Sequence, residues 1–302
     1  LNEKEMTRHA QEIVAEYESY ISQNPSDENA LILFGKFLRK VGQEEHAAEY
    51  FLEADKINPK LAVVKQQLAN FLIEKNRPVD AFPLLILTIQ LNPQEAVYHF
   101  QLGNFLFLFE KELVSEKIFT NLSAQSFMHR CFFEAKSLQP KNFDFQLRYA
   151  QSFFDYPDSN KSRALIAWKQ IENNFPDRAT TEKDYFKLCQ AKVLLELNRK
   201  EDASELIKTV SSTPLKQSKD SLLLKVHNRK KANSPTQKKK KKSSFNWNHK
   251  NFIPSDPHLE RLRKLTGRLI EEKMLSELRS DAIKASYDQS GEIKLELTNL
   301  PK

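Results

Sequence analysis

Three Asn-Pro pairs, Asn24-Pro25, Asn58-Pro59 and Asn92-Pro93, follow one another at intervals of 34 residues. A fixed period of that size restricts a chain more than its composition does, because it marks one supersecondary unit repeated and stacked. The residues between the prolines repeat as well. The first full unit carries Leu31, Phe34, Gly35, Leu38, Ala47, Phe51, Ala54 and Pro59. Positions 34 further on hold Lys65, Leu68, Ala69, Leu72, Ala81, Leu85, Thr88 and Pro93, and Leu102, Gly103 and Leu106 open a third copy. Apolar residues three and four apart give each segment one buried stripe, so every unit reads as two helices.

Small residues carry the packing argument. Gly35, Ala69 and Gly103 fall midway along a first helix, where Gly ordinarily costs about 1 kcal/mol. A Gly recurring there implies that a second helix approaches closely. Ala47, Ala81 and Ala135 play the same part on second helices, and Pro59, Pro93 and Pro140 follow helix ends, where proline cannot continue the ladder.

These positions resemble the tetratricopeptide repeat family. The resemblance implies an all-α, right-handed solenoid of about five helix pairs, within an array spanning 1–228. The repeats are expected at 28–59, 62–93, 95–140, 143–176 and 179–214, with a cap helix at 215–228. Pro140 lies 47 residues after Pro93, so 13 residues are inserted, and the spacing places them as a loop over 111–125 before a second helix starting near Ser126. Residues 3–22 form a helix in the second-helix slot of a preceding repeat. With Leu1 in place of Met, the expectation is an upstream segment removed, or a capping helix. A basic low-complexity linker is expected over 229–255. An amphipathic helix is expected over 256–288, opened by Asp256-Pro257 and striped with Leu259, Leu262, Leu269, Ile270, Met274 and Leu278. The tail 289–302 has a short strand alternating at Ile293, Leu295 and Leu297.

Several classes of activity have no residues to stand on. The five glycines lie too far apart to cradle a phosphate in a P-loop or Rossmann turn. The seven histidines show no ligand spacing, and no nucleophile is paired with a base in a recognisable turn. The expectation is a non-enzymatic protein without metal or cofactor. Two cysteines, Cys131 and Cys189, indicate no disulfide scaffold. The longest apolar runs, 84–89 and 105–109, are too short to span a bilayer, and the expected location is cytoplasmic.

The net charge of +7 is an average of two unlike parts. Nine basic residues and no acidic one lie between 229 and 250, which leaves −2 on everything else. The body is near neutral and carries a basic strap.

Two binding surfaces follow. The resemblance implies another protein, as a peptide or helix, held in a concave groove lined by first helices. One residue after each small position stand Lys36, Asn70, Asn104 and Gln151, with Gln66, Gln67, Phe100, Gln101, Phe107 and Arg148 around them. Carboxamides both donate and accept, which suits an extended peptide backbone. Ile32 and Gln67 stand where chaperone-binding members carry Lys and Asn, so the resemblance does not extend to chaperone docking. The alternative is a nucleic-acid-associated protein. Lys238, Lys239, Lys240, Lys241 and Lys242 would meet phosphates, and Phe245 and Trp247 would stack on bases. Repeats followed by a lysine-rich strap and an Asp-Pro are similar to the large repeat subunit of the signal recognition particle, over 238–262. A third class is self-assembly through the helix at 257–287.

Overall fold

The computed structural model describes residues 2–227 and two strands, Ile283–Tyr287 and Ile293–Leu297. The linker at 229–255 and most of the helix expected at 256–288 lie outside the described residues. The chain divides into two compact units, Leu1–Phe127 with Ser255–Lys302, and Met128–Pro254.

The first unit begins with α1 (Glu3–Gln23), started by a capping box in which Glu5 N donates to Asn2 Oδ1 at 2.9 Å. Helix pairs follow: α2 (Glu28–Lys40) with α3 (Glu44–Ile57), and α4 (Ala62–Glu74) with α5 (Pro78–Leu91). Next come α6 (Ala96–Leu108), α7 (Glu110–Ser115) and the start of α8 (Asn121–Leu138). Tyr17 of α1 stacks on Phe34 of α2 with ring centroids 5.0 Å apart.

The turns inside the pairs share one device. Gly42 and Asn76, 34 residues apart, adopt left-handed backbone at φ +80° and +57°. The following amides then close the Schellman pattern, Gln43 N to Leu38 O and Arg77 N to Leu72 O, both 2.8 Å. Gly and Asn accept that conformation most readily, so the turn chemistry is written in the repeat itself.

Close approach at Gly35 is real. A Cβ there would sit 2.6 Å from Phe51 Cε1, and Phe51 is itself buried. Two of the recurring positions depart from the apolar pattern. Lys65 stands where the preceding repeat has Leu31, and it is buried against Asp55 of α3. Thr88 is buried because its hydroxyl donates to Leu84 O at 2.8 Å.

The insertion is not a loop. Residues 110–115 form α7, whose Leu113 N donates to Phe109 O at 3.1 Å, and α8 begins at Asn121 rather than near Ser126. Lys117 (φ +59°) ends α7 with the same Schellman bond, Ile118 N to Leu113 O at 3.0 Å. The physical reason is burial. α5 is apolar on nearly every side and buried from Pro78 to Thr88, so it needs neighbours all round. Leu113, Ile118 and Phe119 of the inserted stretch are buried, and the Phe119 ring meets Phe82 edge-on at 5.5 Å.

In the second unit, α8 leads to α9 (Phe143–Asp155), α10 (Lys161–Asn174), α11 (Thr180–Glu196), α12 (Lys200–Lys208), a 3-10 turn (Thr213–Leu215) and α13 (Lys216–His227). Asn142 and Asn160 cap α9 and α10 through Phe145 N (3.2 Å) and Arg163 N (3.0 Å). Trp168 is fully buried, stacked on Phe154 and edge-on to Tyr185, each at 5.8 Å. Buried Asp184 of α11 accepts Ser211 N and Ser212 N at 2.9 Å and Ser212 Oγ at 2.6 Å. Those bonds tie down the segment that leads α13 onto α11 and α12.

The strands β1 (Ile283–Tyr287) and β2 (Ile293–Leu297) pair antiparallel, with Ile283 opposite Leu297 and Tyr287 opposite Ile293. The helix expected to run through Tyr287 is therefore wrong from 283 onward. Over those five residues Ile283, Ala285 and Tyr287 alternate with Lys284 and Ser286, and the matching alternation in β2 decides the pairing.

Candidate functional site

In the first unit six of the residues singled out above lie on the first helices: Lys36 on α2, Gln66 and Asn70 on α4, and Phe100, Gln101 and Asn104 on α6. Their order follows from the 34-residue period, since Lys36, Asn70 and Asn104 occupy equivalent positions on successive first helices. Three of the amides are joined. Gln66 Nε2 donates to Gln101 Oε1 at 2.7 Å, and Gln101 Nε2 donates to Asn70 Oδ1. Gln101 is thereby engaged inside the protein, and all three are half-buried. Asn70 Nδ2 and Gln66 Oε1 take no part in these bonds, so the row still presents a donor and an acceptor. Asn104 and Phe100 are half-buried on α6, and Lys36 is exposed on α2.

A second link joins α2 to α4. Arg39 Nη1 donates to Gln67 Oε1 at 2.6 Å, and Nη2 pairs with Glu74. Nothing in the repeat pattern pointed to Arg39. Its partner Gln67 is nearly buried, which removes it from any face offered to a ligand. On α6 Phe107, placed beside the groove from the sequence, is 46% exposed, and the sequence gave no warning that Val97 and Leu108 would stand 45% and 67% exposed. They fall on one side of the helix with Asn104, at helical spacing.

Arg148 and Gln151 belong to α9 in the second unit. Arg148 Nη1 donates to Asp155 Oδ2 at 2.7 Å and its guanidinium lies 4.3 Å over the Phe132 ring. Gln151 makes a long contact, 3.5 Å, to Tyr185 Oη. Of the packing positions, Gly35, Ala47, Ala69, Ala81, Gly103 and Ala135 are buried, Pro59 is half-buried, and Pro93 and Pro140 are exposed. Lys238 to Lys242, Phe245 and Trp247 lie outside the described residues.

The second unit also holds a histidine that spacing rules pass over. His129 Nδ1 lies 2.7 Å from Ser152 Oγ, and that hydroxyl donates to Tyr149 O at 2.6 Å. Ser152 therefore accepts, which places the imidazole proton on Nδ1. The ring stacks on Tyr149 at 5.1 Å and meets Phe153 edge-on at 4.4 Å. Burial, and then the charge of Arg163, push its pKa down to about 4. The imidazole is a neutral packing group, and Lys136 lies over the neighbouring Tyr149 ring at 4.8 Å. Cys131 and Cys189 are buried free thiols, both raised in pKa by burial. No helix among the described residues is long and apolar enough to cross a membrane.

No protein-family model and no curated protein matches the sequence. Among solved structures the chain is similar to YrrB, a TPR protein with an unusual peptide-binding site. That match has 13% identity and a TM-score of 0.51, and covers 70% of this chain and 96% of that one. A match to MamA from Desulfovibrio magneticus RS-1 has 11% identity, covers 64% and 97% of the two chains and has a TM-score of 0.45. PilW, a type IV pilus biogenesis factor, matches at 14% identity over 73% and 94%, with a TM-score of 0.45. The likeness to YrrB assigns the fold: a tetratricopeptide-type solenoid of stacked helix pairs.

Proposed function

We propose that this protein is a non-catalytic interaction scaffold, and that its first unit holds an extended segment of another protein across α2, α4 and α6. The observation that supports this reading is the fixed row Gln66–Gln101–Asn70. Two helices share one hydrogen-bonded line of amides on an edge that remains open to solvent. A row held in place beforehand loses little side-chain entropy when a peptide backbone docks on it. The similarity to YrrB, a TPR protein with an unusual peptide-binding site, supports the reading.

The test is a selection of displayed random peptides on the full chain. The selected peptides are then titrated against the Asn70→Ala/Asn104→Ala double variant. Affinity falls at least tenfold while the far-ultraviolet helical signal is kept. Unchanged affinity in the double variant refutes the reading. A second reading rests on the nine basic residues of 229–250, which suit nucleic-acid phosphates.

A further inference from the structure

We infer that the segment taken by this face carries carboxylate side chains at one end and aliphatic or aromatic side chains at the other, with the carboxylates over α2 and the apolar end over α6. The inference rests on the scaffold reading above and adds the chemistry of the partner.

Three helices in succession present three different surfaces. On α2, Lys36 and Lys40 lie one turn apart, both exposed, and neither makes an ion pair among the described residues. Arg39 beside them is already engaged by Gln67 and Glu74 of α4, which also neutralises the acid at the end of α4. The middle of the face, Gln66 and Asn70, is uncharged and hydrogen-bonding. On α6 there is no charged residue at all, and Val97 and Leu108 are exposed on the side that carries Asn104. The order is cation, amide, apolar.

That order selects by rejection as well as attraction. A basic side chain over α2 meets Lys36 and Lys40 and is repelled. An acidic one over α6 loses water against Leu108, one turn beyond Asn104. Spacing follows from packing distances. Two steps between neighbouring helices of about 10 Å each separate α2 from α6. An extended chain rises roughly 3.3 Å per residue, so about six residues separate the acidic end from the apolar end.

The experiment titrates the full chain with three fluorescent synthetic peptides, each made in both chain directions. One has a Glu-Asp pair, a spacer of Ser and Asn, and a Leu-Phe pair. The second replaces the acids by Lys-Lys, and the third replaces Leu-Phe by Ser-Ser. The acidic–apolar peptide binds at least tenfold more tightly than either of the others. Lys36→Glu/Lys40→Glu reverses the preference toward the Lys-Lys peptide. Val97→Ser/Leu108→Ser removes the advantage of Leu-Phe over Ser-Ser and leaves the charge preference in place. Equal affinity for the acidic and basic peptides, or a charge reversal that changes nothing, overturns the inference. If Asn70→Ala/Asn104→Ala still weakens displayed peptides in that case, the scaffold reading survives it. Failure of all three peptides to bind overturns the inference too, and the display selection then judges the scaffold reading separately.

Discussion

Lys65 Nζ lies 2.7 Å from Asp55 Oδ1 and 3.0 Å from Asp55 Oδ2, with both side chains almost wholly out of water. The pair joins α4 to α3 across neighbouring helix pairs, at a position where the preceding repeat simply buries Leu31. Two ions taken out of water lose hydration that their attraction roughly restores, so the pair specifies a partner more than it adds stability.

Removing one ion is a different matter. Lys65→Met leaves the Asp55 carboxylate buried without its cation, and the expected loss is about 3–5 kcal/mol. The double variant Lys65→Met/Asp55→Leu recovers most of it, because no charge is stranded. Urea unfolding of the four members of the cycle measures the coupling. Additive losses would mean that the two ions do not depend on each other.

At Gly35 the expectation is overpacking. A Cβ would stand 2.6 Å from the Phe51 ring, which is buried and has nowhere to turn. Gly35→Ala should cost roughly 1–3 kcal/mol, more than offsetting the helix propensity that Ala gains over Gly. Gly35→Leu should cost more and push α3 away from α2. The denaturation midpoint checks both, and a fully tolerated Leu would contradict the contact.

His129 gives the protein an acid-sensitive term. Its folded pKa, about 4, lies below the unfolded value of about 6.5. Protonation therefore favours the unfolded chain. The stabilisation is present in full above pH of about 6.5 and is lost as pH falls toward 4. The ring resonances in a two-dimensional NMR titration should stay those of a neutral Nδ1–H imidazole through pH of about 5. His129→Gln should flatten the fall in thermal midpoint across that window. A ring that titrates at the ordinary histidine value would show that it is solvated.

The basic strap makes a separate prediction. If 229–250 neutralises five to nine phosphates, the log–log slope of duplex-DNA affinity against salt should be on the order of −4 to −8. Trp247 fluorescence should then be quenched by single-stranded oligonucleotides, since stacking is sequence-tolerant. Deleting 229–250 should abolish binding and leave the helical signal intact. A flat titration at low salt would count against nucleic acid.

Much of the architecture was legible in the one-dimensional pattern. The 34-residue period, the paired helices and the close contact at Gly35 all depend on residues a few positions apart, or on a spacing that the repeat itself displays. The left-handed turns at Gly42 and Asn76 are as local, since backbone sterics suffice to set them. Other features depend on which distant residues meet. Lys65 stands in the repeat pattern as the counterpart of Leu31, and nothing in the pattern names Asp55 as its partner. The inserted stretch read as a loop because its burial depends on Phe82, far back along α5. Residues 283–287 continued a helix until β2 offered a partner. The sequence put Asn70 in a row with Lys36, Asn104 and Gln151 and set Gln66 and Gln101 beside it, but the hydrogen bonds that join Gln66, Gln101 and Asn70 cross from α4 to α6. Periodicity is a property of one segment and can be read along it. Pairing of charges, amides and strands is a property of two segments, and only packing brings them within bonding distance.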